Sequence, residues 1–514
     1  MAASMLFPRR RPRKGAGPAK IAIAFVAGGV NAAGFAPLGW WPLCLLSFAA
    51  LFAVWQHSGR GGAAAQGFAF GLGMFGAGSS WMYVSLHTYG GMPPSLAGFC
   101  IFLLVAAMSL YPALAGFLQA LLPRHSLGAR AVCIMPGAYA AVEALRAWAL
   151  SGFPWLTAGY AMLDTPLAGL SMLGGVHLVS LLALMSAGAL FMLLLDATRA
   201  RATLALLPAL GWLLGWQVPE LPMTRAQGAA FSVALVQNNV PIESKWDEAG
   251  KREVIDDYLA ASDTQRAVDL VVWPEAAVPG YFADMTPETV GRMRAHRADF
   301  IFGVLTRGPR VGFGGERIYF NSIAALGLRE TSDTFYHKRH LVPFGEYVPF
   351  GGALQPLMEQ FNIPMSNFTA WRAPQPPLRA AGVEFAASIC YEDAFPGEWR
   401  DQVAEAGALI NLSEDAWFGN SLAPHQRLQM ARFRALESGR PMLRASNNGL
   451  SAVIDWRGRV VQIAPQFERA VVTARVQPRA GSTVHTLYGG MAAWIAMALA
   501  LAFGGLFGRG EEAR

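Results

Sequence analysis

Charge is scarce in this chain. Of 514 residues 15% are charged and 54% are hydrophobic, a balance too apolar for an ordinary soluble enzyme and opposite to that of disordered chains. Four cysteines without paired spacing exclude a disulfide scaffold, and no Cys/His cluster has zinc-ligand spacing. The sequence therefore predicts no metal and no other cofactor. It also lacks any heptad or symmetric repeat, so a monomer is expected. The formal net charge of +7 is not a nucleic-acid signature. Residues 221–485 carry 27 Lys+Arg against 28 Asp+Glu, while the excess, 14 against 6, lies beside apolar runs in the rest of the chain.

What is abundant is apolar sequence in long runs. Uncharged stretches cover 21–56, 64–86, 93–122, 168–195, 202–218 and 487–507, and another at 131–150 is interrupted only by Glu143 and Arg146. A bilayer crossing takes about 20 residues. The first stretch is long enough for two, broken near Pro37-Leu38-Gly39. The expectation is a polytopic α-helical membrane domain of about eight spans, seven before residue 220 and one at the end. Arg9, Arg10, Arg11, Arg13, Lys14, Lys20, Arg60, Arg124, Arg130, Arg199 and Arg201 all fall in loops on one side, and the alternate loops near 37–40, 87–94 and 151–167 have no Lys or Arg. The positive-inside rule then makes the N-terminus cytoplasmic and puts residues 221–485 on the far side. The competing reading of the basic N-terminus, a cleaved signal peptide, is disfavoured by the spans that follow. The expected division is a basic N-terminus at 1–20, a bundle at 21–220, a globular insert at 221–485, a final span at 486–508 and a tail at 509–514. Glu143 and Arg146, three apart on one helical face, are expected to form a structural ion pair inside the bundle, the alternative being a site for a lipid headgroup.

From Phe231 the pattern changes to short β-branched and aromatic runs. Strands are predicted at 231–237, 269–274, 299–305, 319–326, 383–389, 408–413, 442–447 and 450–455, with helices at 252–265, 286–298 and 424–438. Mixed order of this kind argues for layered α/β packing. The segment 344–372 is rich in Pro, Gly and aromatics without periodicity, as in a functional loop or lid. Its Phe and Met residues either reach the lipid interface or fold back onto the domain.

Three segments of the insert carry residues suited to chemistry. Cys390 closes an apolar strand and is followed at once by Tyr391-Glu392-Asp393, which lifts a thiol to a strand end within reach of a carbonyl. Alone this is weak evidence, since a lone buried cysteine is usually inert. Glu275 follows the strand ending in Trp273-Pro274, where a carboxylate can serve as general base. Lys338 lies in Tyr336-His337-Lys338-Arg339-His340, and with five lysines against 36 arginines in the chain it does not reflect compositional habit. A compact ammonium suits a developing oxyanion.

In the order Glu275, Lys338, Cys390 these residues resemble the triad of the nitrilase superfamily, and within it the membrane-bound apolipoprotein N-acyltransferases. The similarity runs through WPE at 273–275, KRHLVPFGEYVP at 338–349, ICYED at 389–393 and the segment 414–449, and covers nearly the whole chain. It implies an α-β-β-α sandwich for the insert, with Glu275 as general base, Lys338 as oxyanion stabiliser and Cys390 as nucleophile. Glu346, Tyr391, Glu392 and Trp246 match supporting family positions. His425 and Arg432 read as structural members of the covering helix, and Trp417 and Phe418 either line an acyl entrance or pack the core.

The resemblance further implies a bacterial inner-membrane enzyme with a periplasmic catalytic domain. Such an enzyme takes a fatty acyl chain from a membrane phospholipid, phosphatidylethanolamine by family precedent, through a Cys thioester. It delivers that chain to the α-amine of a diacylglyceryl-modified apolipoprotein. Two rivals use the same residues differently. A tethered amidase would need one anchor rather than eight, and a transporter with a binding module would have no use for the triad.

Overall fold

The computed structural model describes residues 17–122, 126–195, 199–245, 248–265, 267–311, 316–327, 334–348 and 368–507. Trp246 and most of the 344–372 segment lie outside the described residues.

A helix stands at each of the eight apolar segments. They are Pro18–Asn31, Trp41–Trp55, Arg60–Gly78, Pro94–Leu121, a helical run from Leu127 through Arg146, Ser171–Leu195, Arg199–Gln217 and Met491–Phe507. Among the described residues two helical runs, Pro94–Leu121 and Pro166–Leu194, the latter joining a short turn to Ser171–Leu195, are long and apolar enough by length and composition to cross a membrane; Pro18–Gly34, Trp41–Trp55 and Met491–Leu506 are apolar but shorter. The helices touch through small residues: a Cβ on Gly67 would sit 2.2 Å from the Pro112 carbonyl oxygen, and one on Gly73 2.1 Å from that of Phe25. Such contact lets the helix backbones approach closely.

Glu143 and Arg146 are both buried, but among the described residues no ion pair joins them. Each instead holds the chain that follows. Glu143 Oε2 accepts from the Ala158 N–H at 2.9 Å, and Arg146 Nη1 donates to the carbonyls of Phe153 and Trp155 at 2.6 Å. The expected loop at 151–167 is accordingly a packed strap of short turns, Ala149–Ser151, Ala158–Met162 and Pro166–Leu170, buried along most of its length.

The insert contains two six-stranded sheets. One runs Ala470–Val476, Phe231–Gln237, Leu270–Val272, Asp299–Val311, Glu316–Leu326, Thr334–His337; the other runs Val460–Ile463, Ala452–Ile454, Met442–Ser446, Ala408–Ser413, Val383–Ile389, Leu378–Ala380. Alternation along the strands separates three cores. Val233 and Leu235 join Phe385, Ala387 and Ile410 between the sheets, whereas Val236, Val271 and Trp273 meet Val254 and Tyr258 of helix Glu248–Asp263 on one outer face. Leu409 and Met442 meet Leu428, Ala431 and Ala435 of helix Ala423–Ser438 on the other. The order is α-β-β-α, as the period of two requires when both faces of each sheet are covered.

Helix Ala423–Ser438 also turns Met430, Phe433 and Leu436 toward the helical half of the chain. It is thus enclosed on both sides. Six strands were not expected from the sequence: Thr224–Ala226 and Arg479–Gly481, which pair as a separate two-stranded sheet, and Thr334–His337, Leu378–Ala380, Val460–Ile463 and Ala470–Val476. The last four are all edges of the two large sheets, where one neighbour suffices and the sequence pattern is correspondingly weak. The strand expected at 269–274 stops at Val272, because the chain turns out of the sheet through Trp273-Pro274.

Candidate active site

The functional side chains project from the ends of three strands. Glu275 follows Leu270–Val272, and Gly303 on the neighbouring strand makes room for it: a Cβ there would meet the Ala276 nitrogen at 2.4 Å and the Glu275 Cα at 2.6 Å. Both carboxylate oxygens are held. Oε1 accepts from Asn321 Nδ2 at 2.7 Å and Oε2 from the Glu414 N–H at 2.9 Å.

Lys338 follows strand Thr334–His337. Its Nζ is fully buried, 2.8 Å from Glu346 and 3.7 Å from Glu275 Oε1. Burial works against the ammonium, but Glu346 and Glu275 outweigh it and hold the lysine protonated above its ordinary range. Glu346 is itself fixed by the Val342 N–H at 2.8 Å and by Asn321 at 3.1 Å. Asn321 therefore bridges the two glutamates.

Cys390 ends strand Val383–Ile389 with a φ of 51°. A non-glycine residue in this left-handed region costs on the order of 1 kcal/mol and persists only when neighbours fix it. They do: Asn411 Nδ2 donates to the Cys390 carbonyl at 3.1 Å, and the Ile389 N–H donates to Glu392 Oε2 at 2.6 Å. Burial, reinforced by the Glu275 carboxylate, pushes the Cys390 thiol up to about 12; Arg427 and Lys338 pull the other way. At rest Cys390 is thus a thiol, so the nucleophile must be made by proton transfer.

Glu392 is a buried bracket rather than a group facing the reaction. Beyond Ile389 it accepts from the Arg339 and His340 N–H groups at 2.7 and 3.0 Å and from the Tyr336 hydroxyl at 3.0 Å, tying the Cys390 turn to the Lys338 segment. Burial pushes its carboxyl up to about 7 against these donors. Tyr391 points to the helical half. Its hydroxyl donates to the Gly152 carbonyl at 3.0 Å, and its ring stacks on Trp155 with centroids 5.8 Å apart. Trp417 and Phe418 lie against the same half, Phe418 edge-on to Trp81 at 5.2 Å and Trp417 accepting at its carbonyl from Ser85 Oγ at 2.9 Å. Arg432 bonds Asp164 and the Gly458 carbonyl, a structural place.

Sequence reasoning missed Asn321, Lys245, Glu414 and a quartet of Asp393, Asp415, Arg427 and Arg444. Lys245 pairs with Glu414 at 2.5 Å and donates to the Glu275 carbonyl at 3.1 Å, fixing the base from behind. The available signal was polar residues inside apolar runs, such as Asn321 in YFNSIAAL and Arg444 in MLRAS.

A strand-end thiol beside a carboxylate and a buried ammonium, on a four-layered sandwich, defines the carbon-nitrogen hydrolase class, and residues 232–484 match that family. Residues 27–189 match the apolipoprotein N-acyltransferase N-terminal domain. The chain is 40% identical over 456 residues to an apolipoprotein N-acyltransferase of Methylococcus capsulatus, covering 88% of this chain and 90% of the relative. It is 37% identical to one of Vibrio cholerae over 94% and 96%, and 40% identical to one of Pseudomonas paraeruginosa over 91% of each. The chain belongs to the apolipoprotein N-acyltransferase family.

Proposed function

We propose that this chain transfers a fatty acyl group from a membrane phospholipid to the N-terminal α-amine of a lipoprotein through a thioester on Cys390. The observation that carries the reading is Lys338, buried between Glu346 and Glu275 and electrostatically coupled to the Cys390 sulfur. In the first half-reaction Glu275 takes the thiol proton and the sulfur attacks the donor's ester carbonyl. Lys338 stabilises the oxyanion. Collapse breaks the ester C–O bond, and Glu275 returns its proton to the departing lysophospholipid oxygen. In the second, the neutral amine attacks the thioester, Glu275 receives its proton, and the sulfur leaves and is reprotonated. The kinetics are ping-pong because both substrates use one site.

The further assignment is that all eight helices span the membrane, with the N-terminus cytoplasmic, the insert at 221–485 in the periplasm, and the protein a monomer. The arginine asymmetry of the loops supports this orientation. Both substrates carry acyl chains too insoluble to cross water, so a site against the bundle meets them where they reside. The aromatic wall of Trp81, Trp155, Tyr391 and Phe418 keeps water from the thioester. Phosphatidylethanolamine is the donor this reading favours.

Mass analysis of the purified protein after exposure to defined phosphatidylethanolamine tests it. The expected result is a hydroxylamine-labile fatty-acyl increment on Cys390, absent in Cys390→Ala. An increment at another residue, or ammonia release from small amides with no adduct from lipid, overturns it.

A further inference from the structure

The mechanism above leaves the far side of the sulfur unexplained. Lys338 reaches the site from the strand end, but it is already engaged by two glutamates and is assigned to the carbonyl oxygen. Behind Cys390, helix Ala423–Ser438 brings Arg427 into contact, with Nη1 donating to Sγ at 3.6 Å. The guanidinium is fully buried and held in place by Asp415 Oδ1 at 2.6 Å, Asp393 Oδ2 at 2.9 Å and Ser413 Oγ at 3.0 Å. Those aspartates are shared with Arg444, whose Nη2 lies 3.0 Å from Asp415 and whose Nε lies 3.8 Å from Asp393. The quartet is therefore charge-balanced without the sulfur, and Arg427 alone of its members has an N–H directed at the nucleophile.

We propose that Arg427 is a catalytic residue of the acyl transfer, a second cation that stabilises the Cys390 sulfur whenever it carries negative charge. The proposal rests on Cys390 being the nucleophile. That charge appears twice: when Glu275 has taken the thiol proton, and again when the thioester breaks and the sulfur departs. In each case the pair forms at a buried position, where a charge-assisted contact counts for more than at a surface. The groups facing the sulfur are Glu275, Lys338, Arg427 and Asp415, with Glu346 and Asp393 one contact further out. Of the two cations, Arg427 is the one with an N–H within hydrogen-bond distance of the sulfur among the described residues. A purely structural Arg427 would satisfy its aspartates equally well without contacting the sulfur.

The test uses the full-length protein in detergent and reads Cys390 alkylation by iodoacetamide at fixed pH, resolved by mass spectrometry from Cys44, Cys100 and Cys133. Below the thiol's titration the rate follows the thiolate fraction, so one unit of upward shift slows it about tenfold. The charge-balanced double variant Asp393→Asn/Arg427→Gln is expected to alkylate about tenfold more slowly and to form the acyl adduct more slowly by a similar factor. Arg427→Lys, whose single ammonium must serve both aspartates, is expected to fall by about threefold. A folded double variant that alkylates at the wild-type rate overturns the proposal. If the double variant does not fold, a wild-type rate in Arg427→Lys overturns it. The reading beneath it fails separately: wild-type protein that takes no acyl group on Cys390 from phosphatidylethanolamine refutes the nucleophile, whatever the alkylation rates.

Discussion

The helical half and the insert are built inside-out relative to each other. On helix Pro94–Leu121 the residues Phe99, Phe102, Leu103 and Leu110 face outward, and Leu206, Leu210 and Leu213 do so on helix Arg199–Gln217. An apolar surface of this kind marks a face made for contact rather than for water. The insert instead encloses charge: Asp415, Arg427 and Arg444 are almost fully buried, a state tolerated only when each charge is paired. Each half handles the groups that the other cannot. Acyl transfer from lipid needs both capacities at one point, and the two halves meet at Tyr391, next to the nucleophile.

The comparison breaks first at Cys390. Cys390→Ala is expected to lower acyl transfer by about 10^4-fold or more with no acyl adduct, while the melting behaviour stays near wild type. A variant that retains transfer would move the chemistry elsewhere. Glu275→Gln separates two functions of one carboxylate. Transfer should fall by about 10^2 to 10^4-fold with loss of the base. Yet Cys390 should alkylate faster at a given pH, because the anion that pushes its thiol up has gone. In the wild type the alkylation rate should climb with pH without a plateau below about pH 10, the sign expected of a thiol pushed up to about 12. A plateau near pH 8 would show that neither burial nor the Glu275 carboxylate raises the thiol.

The two halves also differed in how far they could be read from sequence. Hydropathy alone located all eight helices, since composition is the signal when an element is apolar along most of its length. Strands such as Val383–Ile389 and Ala408–Ser413 were placed to the residue because both faces are buried and the apolar run is continuous. Edge strands escaped. Thr334–His337, which delivers Lys338, has one neighbour and little apolar pattern. Glu275, Lys338 and Cys390 were legible as motifs. Their supports were not: Asn321, Lys245 and Arg427 act across 46, 30 and 37 residues of chain, and local pattern carries no information at that range. The order of the strap at 149–170 escaped for the same reason, since it comes from Glu143, Arg146 and contacts made far away in the sequence, such as Trp155 Nε1 with Gln426 Oε1 at 3.0 Å.

Gly303 sharpens the contrast between packing and chemistry inside the insert. Gly303→Ala adds one methyl group against backbone atoms of residues 275 and 276 at 2.4 to 2.6 Å, so the Glu275 loop must move. A displacement near 1 Å at a reacting group costs about 10^2-fold. Transfer measured on vesicles should fall by that order while the rest of the insert keeps its fold. Activity at the wild-type level would mean the loop has slack that the close contact denies.

The seam between the halves is expected to be the least sensitive place, and Tyr391→Phe tests why. The variant removes the hydroxyl that donates to Gly152 and keeps the ring stacked on Trp155. One such hydrogen bond is worth about 1 kcal/mol, so docking weakened by that amount should lower transfer by about fivefold, with the effect on KM for phospholipid rather than on kcat. Trp155→Ala should do more, since it takes away the surface on which Tyr391 and Phe153 both stack. If Tyr391→Phe instead matched Cys390→Ala, the hydroxyl would belong to the proton-transfer chemistry of the insert. The boundary between the halves would then run through the reacting atoms.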